Sequence, residues 1–373
     1  MIFKVSKPRL LRLLHLFLLL VGVSAGVVAT FVLTTFSFPI QIFFFSQHLP
    51  PPSNHSLLTS NWTSNPNQIN QTSSMDSILM HDMPDDVLLT VASKVVNNNS
   101  NPKIAFMFLT PGPLPLSPFW ESFFHGHHGY YSIYVHPHPS FNYSFPPSSP
   151  FHARRIPTQA VQWGTISMID AERRLLANAL LDPSNRRFVL LSDSCIPVFN
   201  FTTVYGYLMG TNRSFVGSFD DPRKSGRGRY NNQMSPAISI DQWRKGSQWF
   251  EVHRDLAVKI VADRKYYDLF RQLCLPPCYS DEHYLPTLLN VLFPAMNSNR
   301  SVTWVDWSRG GPHPKKFGWI DVNGELLNWI RVGSECEYNG EKTNLCFLFA
   351  RKFWPSAIRP LMKIGPSILG FTP

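Results

Sequence analysis

Residues 103–110 read Lys-Ile-Ala-Phe-Met-Phe-Leu-Thr, and this almost continuous apolar run decides the fold. A strand with one solvent-facing side alternates apolar with polar residues, whereas a strand buried on both faces does not. Pro111, Gly112 and Pro113 end the run, as is typical of a turn. The stretch therefore predicts a central strand of a sheet that is covered on both sides.

Strands and helices alternate along the chain after that first strand. Residues 131–136 and 188–191 are further buried strands, and residues 165–181 have apolar positions at helical spacing with Arg173 and Arg174 on the polar face. This alternation favours a parallel-rich α/β sheet flanked by helices, in which ligands bind beyond the carboxyl ends of the strands.

The carboxyl ends of the predicted strands place His136, Trp163 and Asp193 near a cleft. The remaining elements have shorter patterns. We expect further strands at residues 154–157, 215–219, 247–252 and 302–307, helices at 119–124, 254–262 and 266–274, and one short helix within 84–96.

A second informative stretch is residues 279–290, Tyr-Ser-Asp-Glu-His-Tyr-Leu-Pro-Thr-Leu-Leu-Asn. Ser280 is placed to cap a helix over residues 280–293, because its hydroxyl can accept an unpaired N–H of the first turn. Asp281 and Glu282 then lie in that turn, where the helix dipole favours negative charge.

The start of this predicted helix is kinked, because Pro286 has no N–H to donate to the carbonyl of Glu282. A carboxylate at the mouth of a cleft can take a proton from a hydroxyl. The alternative is that Asp281 and Glu282 are ordinary first-turn acids.

The composition indicates a basic protein with a sizeable core. The 373 residues are 44% hydrophobic, and 34 Lys and Arg against 24 Asp and Glu give a formal charge of +10. This charge suits nucleic acid, a membrane surface or a phosphate-bearing small molecule. The basic residues are scattered, which disfavours nucleic acid. The basic loop over residues 220–230, with Arg229, is either an anion or acceptor site or a solvated surface loop.

The N-terminal sequence predicts a single-pass membrane protein. Lys4, Lys7, Arg9 and Arg12 lie in a cytoplasmic tail over residues 1–12, and residues 13–36 are apolar over a length that can span a bilayer. A lumenal stem over 37–102 and a globular body over 103–373 follow, the stem being rich in Ser, Asn and Pro and expected to be disordered. A cleaved signal peptide is the main alternative to the retained anchor.

The sequons agree with transfer of the body into the secretory lumen. Each candidate asparagine begins Asn-x-Ser/Thr without an intervening proline. They are Asn54, Asn61, Asn70, Asn98, Asn142, Asn200, Asn212 and Asn299.

The cysteines favour an oxidising compartment. Cys336 and Cys346 are a plausible short disulfide, while Cys274 and Cys278 can pair with each other or elsewhere. With Cys195 the count is odd. Zinc binding is disfavoured, because the sequence has no Cys-x-x-Cys pair and no histidine at matching spacing.

The motifs in the body together resemble one family. From about Lys103 to Phe353 the chain is similar to the plant branch of the Core-2/I-branching β-1,6-N-acetylglucosaminyltransferases, glycosyltransferase family 14. The order and spacing of the matching stretches carry the resemblance. They are residues 131–136, 162–165, 190–197, 245–254, 279–289, 307–316 and 347–353.

The resemblance implies a GT-A-like, Rossmann-type mixed sheet flanked by helices. It also implies an inverting transfer from a UDP-sugar without a divalent metal or other cofactor. The sequence fits a transfer without a divalent metal, since it has no Asp-x-Asp motif to bind one. Lys and Arg side chains can hold the leaving diphosphate instead. Candidate pairs of cations are Arg351 with Lys352, and Lys315 with Lys316.

The resemblance also assigns roles to residues. Glu282 falls on the family's catalytic base, Lys352 on the lysine that contacts the diphosphate, and Trp163 near the aromatic beside the nucleotide. For the partner arginine of the diphosphate we take Arg331. We assign Arg351, His136 and Asp193 to the nucleotide sugar as well, and Arg229, Asp281 and His313 to the acceptor.

Two departures from the family pattern bear on the donor sugar. His136 and Cys195 stand where many animal members have Asp, and Asp193 can replace the second of these. These departures leave the donor sugar open, and related plant enzymes of the family include glucuronosyltransferases. The resemblance therefore implies transfer of N-acetylglucosamine or glucuronic acid to a glycan hydroxyl, by a Golgi type II membrane protein. A scaffold that binds a glycan or nucleotide without catalysis is the alternative. A lumenal hydrolase is disfavoured because the sequence has no Gly-x-Ser-x-Gly.

Overall fold

The computed structural model describes residues 83–98 and 101–371, which all belong to one compact unit. The predicted tail, membrane anchor and most of the stem, with Asn54, Asn61 and Asn70, lie outside these residues. Within the described ranges, no helix is long and apolar enough to cross a membrane.

Helices and strands alternate through the first half of the described chain, and the second half is more irregular. In chain order the elements are α1 (Asp85–Ala92), β1 (Lys103–Leu109), α2 (Ser117–Phe124), β2 (Tyr131–His136), α3 (Ser167–Leu180), β3 (Asn185–Ser192), β4 (Ile196–Pro197), α4 (Phe201–Met209), β5 (Glu251–His253), α5 (Arg254–Ala262), α6 (Lys265–Leu273), α7 (Tyr284–Leu292), β6 (Thr303–Val305), α8 (Gly324–Val332), β7 (Cys336–Tyr338), β8 (Glu341–Thr343), β9 (Phe349–Arg351) and α9 (Ile358–Leu369).

The central sheet has the strand order β2-β1-β3-β5. β1 is parallel to β2 and to β3, and β5 is antiparallel to β3, so the sheet is mixed. Leu109 pairs with His136 on one side and with Ser192 on the other. His136 and the residue after Ser192, Asp193, therefore lie at the carboxyl edge of the sheet, as the sequence predicts.

The two faces of β1 belong to two different cores. Ala105 and Met107 pack among buried residues of α1, α3, α5 and α7. Phe106 and Phe108 face the other side, among aromatic residues of α2 and α4 and the buried strand β9. This three-layer, mixed α/β arrangement fits the GT-A-like fold. It also explains why the strand reads as one apolar run.

A smaller sheet with the order β4-β9-β6 lies within the second of these cores. β9 is antiparallel to β4 and parallel to β6. Its last residue, Arg351, pairs with Val305, and Phe353 then forms a single bridge to Phe317. This sheet brings the C-terminal cations to the chain around Asp193.

The prediction that Arg173 and Arg174 occupy a polar face of α3 is wrong, since both side chains are buried. α3 is covered by the sheet on one side and by α1 and α5 on the other. Arg173 donates to the carbonyl of Val261 at 3.0 Å, and Arg174 pairs with Asp85. Buried cations need such partners.

Two of the predicted strands are only isolated bridges. Residues 154–157 contribute one bridge, from Arg155 to Val135, since the proline that follows Ile156 has no N–H for a ladder. Residues 215–219 bridge only at their two ends, because the backbone N–H of Val216 donates to the side chain of Asn297 instead.

The predicted stem contains a helix that packs on the folded body. Leu88, Leu89 and Ala92 of α1 are buried in the same core as α3 and α5. The change of composition at Lys103 therefore lies inside the folded unit rather than at its beginning.

Candidate active site

The segment before α7 is not one helix from Ser280 to Phe293. Residues Ser280–Glu282 form a 3-10 turn, and α7 begins only at Tyr284. Ser280 does not cap the helix, because its hydroxyl donates to the carbonyl of Thr165 at 3.1 Å. The carbonyl of Glu282 accepts from the backbone N–H of Gly246 at 2.9 Å. This carbonyl, which cannot accept an N–H from Pro286, thus anchors the loop that contains Gly246.

The Glu282 carboxylate is held by two cations. Its Oε2 lies 2.6 Å from Nη1 of Arg229 and 3.2 Å from Nζ of Lys245. The side chain of Glu282 is 29% exposed, so it can meet a molecule from solvent. Arg229 comes from the basic loop and Lys245 from the chain that bridges to Phe219. Three segments that are distant in sequence therefore converge on one carboxylate.

Two further carboxyl groups, those of Asp281 and Glu172, lie beneath Glu282. Burial, together with the charge of Glu282, raises the pKa of Asp281 to about 6. Burial and the charge of Asp281 raise the pKa of Glu172, on α3, well above its ordinary value. Oε1 of Glu172 accepts from Nε2 of Gln248 at 3.0 Å, whereas Oδ1 of Asp281 has no hydrogen-bond partner within the described part of the chain.

A cluster of cations surrounds Asp193 at the end of the central sheet. Burial raises the pKa of Asp193, and the charges of Arg351 and Lys352 oppose that rise. Burial, Arg351 and Lys316 lower the pKa of Lys352. The backbone N–H of Phe317 donates to the carbonyl of Lys352 at 2.8 Å, which holds Lys316 beside it. Arg351 and Lys352 near one carboxylate, with Lys316 near Lys352, leave an excess of positive charge, which suits a diphosphate.

His136 lies at the same edge of the sheet and is buried. Its Nε2 lies 3.1 Å from Nη1 of Arg174. Arginine can only donate, so Nε2 is the acceptor and Nδ1 carries the proton in the neutral ring. Burial, with the charge of Arg174, lowers the pKa of His136 to about 4, which keeps the ring neutral at physiological pH.

One short segment, Gln248 and Trp249, contacts both the Asp193 cluster and the carboxyl groups near Glu282. The guanidinium of Arg351 lies 4.3 Å from the ring centre of Trp249. The residue before Trp249 is Gln248, which binds Glu172 beneath the Glu282 site. Residues 248 and 249 therefore connect the carboxyl groups near Glu282 with the cations near Asp193.

Comparisons with known proteins agree with this arrangement. A family model described as Core-2/I-Branching enzyme matches residues 104–331. Glycosyltransferase BC10 of Oryza sativa subsp. japonica is 37% identical over 311 residues, which are 71% of this chain and 77% of the relative. The chain belongs to this family of glycosyltransferases, in its plant branch. The family predicted from the motifs is thereby confirmed.

The family model matches one part of the candidate site and not the other. The matched residues include His136, Asp193 and Glu282 and end at Arg331, before Arg351 and Lys352. The position of the cation cluster in this family member therefore comes from the structure, through the pairing of β9 with β4 and β6.

Arg331 is not brought to that cluster. It lies at the end of α8, donates to the carbonyl of Ile368 at 2.8 Å and stacks over the ring of Phe199. The bond to Ile368 fastens α8 to α9, and the assignment of Arg331 to the diphosphate stays a prediction. The structure places Arg351 and Lys316 beside Lys352 instead.

Of the residues assigned to the acceptor, Arg229 and Asp281 adjoin Glu282, and His313 approaches through Trp163. The ring of Trp163 is 5.9 Å from that of His313 and 4.9 Å from that of Tyr279. Trp163, assigned to the nucleotide from sequence, is thus on the side of the Glu282 carboxylate. Sequence reasoning missed the roles of Lys245 and Glu172, although Lys245 begins one of the stretches that resemble the family, residues 245–254.

Two disulfides are formed within the described residues. Cys336 joins Cys346, the pair named from the sequence, and Cys274 joins Cys278 immediately before Tyr279. Cys195 keeps a buried thiol.

The described sequons differ in accessibility. Asn98, Asn142, Asn212 and Asn299 are exposed. Asn200 is half-buried, and its side chain caps α4 by accepting the backbone N–H of Thr203 at 2.9 Å.

Proposed function

We propose that this glycosyltransferase moves a sugar from a UDP-sugar to a hydroxyl of a glycan acceptor in one inverting displacement. Glu282 takes the proton of the acceptor hydroxyl, whose oxygen forms a bond to the anomeric carbon. The bond between that carbon and the diphosphate breaks, and its electron pair leaves with UDP. The observation that carries the proposal is a partly exposed carboxylate, fixed by two cations, beside a separate cluster of cations.

The geometry of Glu282 suits the role of base. A general base must be within hydrogen-bond reach of the hydroxyl that it deprotonates, and it must be fixed in position. Arg229 and Lys245 both contact Oε2, so Oε1 is available to a hydroxyl. One positioned base contributes roughly 10²–10⁴-fold in rate.

The cation cluster suits the leaving group. Negative charge develops on the diphosphate as the bond breaks, and preorganised cations stabilise it most when they are partly desolvated. Arg351, Lys352 and Lys316 are each partly or largely buried. We propose that they supply the charge that other sugar transferases obtain from a divalent metal.

The cellular setting and the sugar belong to the same proposal. The apolar residues 13–36 and the sequons support a Golgi membrane protein with a lumenal catalytic body. N-acetylglucosamine and glucuronic acid are the sugars that we propose for the donor. The neutral His136, where an acid would repel a negatively charged donor, is compatible with both.

Release of UDP by the purified full-length chain tests the proposal. The assay uses UDP-N-acetylglucosamine, UDP-glucuronic acid and UDP-glucose with a mixture of cell-wall oligosaccharides, in the presence and absence of EDTA. We expect EDTA-resistant release with one donor. The substitution Glu282→Gln should lower kcat by roughly 10²–10⁴-fold while UDP binding, measured by calorimetry, is retained.

The matched control is Glu337→Gln, since Glu337 is an exposed glutamate on β7. It should leave turnover unchanged. Full activity of Glu282→Gln refutes the role of the base. UDP binding by the wild type without release from any donor favours the non-catalytic scaffold.

A further inference from the structure

Four planar side chains form a row that leads away from Glu282. The guanidinium of Arg229, which pairs with Glu282, lies 4.4 Å from the ring centre of Tyr279. The ring of Tyr279 contacts that of Trp163, and Trp163 contacts His313. Trp163 is 58% exposed, and His313 is also exposed. We call Arg229, Tyr279, Trp163 and His313 the aromatic row.

The backbone around the aromatic row is shaped to hold it. Gly164 has φ +78°, and a Cβ there would lie 3.0 Å from two ring atoms of Tyr279. Glycine is therefore needed both for the conformation and for the close approach of the ring. Ser280 ties the next turn to the carbonyl of Thr165. Trp163 is thus carried by a fixed turn rather than by a free loop.

An exposed tryptophan normally costs free energy, because a large apolar face stays in water. A sugar ring has an apolar C–H face and a polar hydroxyl rim, so it can cover an aromatic face and still hydrogen-bond to solvent. The polar ends of Tyr279, His313 and Arg229 can meet the hydroxyl rim. The aromatic row therefore fits a saccharide better than it fits a purely apolar partner.

We propose that the aromatic row is a binding subsite for the acceptor glycan, taking the sugar next to the one whose hydroxyl is glycosylated. This inference rests on the proposed function, because it uses Glu282 to locate the reacting hydroxyl. The row begins at the ion-pair partner of Glu282, and Trp163 lies one ring beyond Tyr279. A single sugar at Glu282 would not reach Trp163, whereas a disaccharide or longer chain covers it.

Binding of the full-length chain to an array of cell-wall oligosaccharides, graded from one to six sugars, tests the subsite directly. We expect binding to rise from one sugar to two or three. Trp163→Ala should weaken binding of the longer chains by about threefold to tenfold, the range that one aromatic contact contributes. Trp163→Phe should recover most of this loss, and the affinity for UDP should stay unchanged.

Two further variants separate the aromatic row from general effects. Trp319→Ala removes a tryptophan that is 66% exposed outside the row, and it should not change glycan binding. Gly164→Ala displaces Tyr279 without removing any side chain and should weaken binding as Trp163→Ala does. In transfer assays, Trp163→Ala should raise KM for an oligosaccharide acceptor more than it lowers kcat.

Several outcomes overturn the inference. Trp163→Ala with wild-type affinity for every oligosaccharide refutes it, and so does a wild-type chain that binds no glycan on the array. A loss of UDP affinity in Trp163→Ala, with glycan binding retained, assigns the tryptophan to the nucleotide instead. Failure of the proposed function is distinct, because Glu282→Gln then transfers like the wild type whatever the array shows.

Discussion

At the scale of single residues, the site places buried carboxyl groups directly beneath the proposed base. Asp281 is only 7% exposed and Glu172 only 2%, and burial raises the pKa of both, with a further rise at Asp281 from the charge of Glu282 and at Glu172 from the charge of Asp281. Taking carboxylates out of water costs free energy that Oδ1 of Asp281, without a hydrogen bond in the described residues, does not recover. Strongly shifted carboxyl groups of this kind cluster at functional sites.

Asp281 should make the protein less stable as the pH rises. Its pKa is about 6 in the folded state, above the ordinary value, so the folded protein binds the proton more tightly than the unfolded chain does. The stability from this group is full at low pH and is lost as the pH rises from about 4 through 6. Asp281→Asn should remove this loss and gain at most about 3 kcal/mol at pH 7.

Urea unfolding of the wild type and of Asp281→Asn between pH 4 and 8 checks this. The difference between their unfolding free energies should grow across that interval. The exposed Asp268 on α6 supplies the control, Asp268→Asn. A difference that is flat in pH would mean that Asp281 is not held above its ordinary pKa.

The residues of the site were predictable where the sequence places chemistry next to a turn. Glu282 could be proposed because it lies at a predicted helix start, four residues before Pro286. Asp193 could be proposed because it directly follows the strand β3. Lys245 could not, because its contact with Glu282 depends on a crossing of two loops that no local pattern encodes. The contact of Arg331 with the carbonyl of Ile368 could not be predicted either, since it joins two helices that are separate in the sequence.

At the scale of elements, the site depends on a close approach between two loops. A Cβ on Gly246 would lie 1.9 Å from the carbonyl oxygen of Gly217 and 2.8 Å from Cγ of Pro286. The N–H of Gly246 also holds the carbonyl of Glu282. Gly246 therefore sets the distance between Lys245 and the turn that carries the proposed base.

Gly246→Ala should damage both stability and activity. The two loops must separate to admit the methyl group, which costs about 1–3 kcal/mol, the usual penalty for overpacking. Because Lys245 moves with its neighbour, kcat should fall more than KM changes. Thermal unfolding and UDP release measure the two effects.

Gly206→Ala is the control for this substitution. Gly206 lies on the exposed side of α4, with open space where the Cβ would go. Alanine there should stabilise the helix by roughly 0.5–1 kcal/mol and leave turnover as it is. Equal effects of the two substitutions would contradict the close approach as the reason for the glycine.

The element boundaries show where local patterns stop being informative. The ends of β2 and α5 agree with the sequence, because each is a regular apolar pattern between clear turn signals. The helix expected over residues 280–293 is interrupted instead at His283, whose ring stacks on Trp243 and whose Nδ1 bonds to the carbonyl of Arg244. These contacts come from another segment, so the break has no local signal.

At the scale of the whole molecule, α1 packs on α3 and α5, and it covers α3 on the side away from the sheet. The sequence predicts a stem over residues 37–102 with one short helix within 84–96, and three buried apolar residues of that helix dock α1 on α3 and α5. Arg254 strengthens this attachment. It donates to the carbonyl of Val95 and to three carbonyls of the body, those of Leu180, Asp182 and Asn185.

Asp85 of α1 is also connected to the edge where His136 lies. It forms an ion pair with Arg174, and Arg174 donates to His136. The side-chain amide of Gln159 donates to Asp85 as well, while its backbone N–H faces Nε2 of His136. Residues outside the predicted body therefore help to fix a side chain at the carboxyl edge of the sheet.

A chain that starts at Asn101 should consequently be less stable than one that starts at Met83. The shorter chain lacks Leu88 and Leu89. Burial of these two side chains contributes about 3–6 kcal/mol to the free energy of unfolding, at 1.5–3 kcal/mol for each. It also removes Asp85, the carboxylate partner of Arg174, which adds to the cost. Chemical unfolding of the two chains measures the difference, with Val91→Ala in the longer chain as a control, since Val91 is 41% exposed on α1. Equal unfolding midpoints would show that α1 is not part of the cooperative unit.

If the shorter chain folds, its affinity for UDP should also fall. Without Asp85, the side chain of Arg174 is no longer held in place to donate to His136.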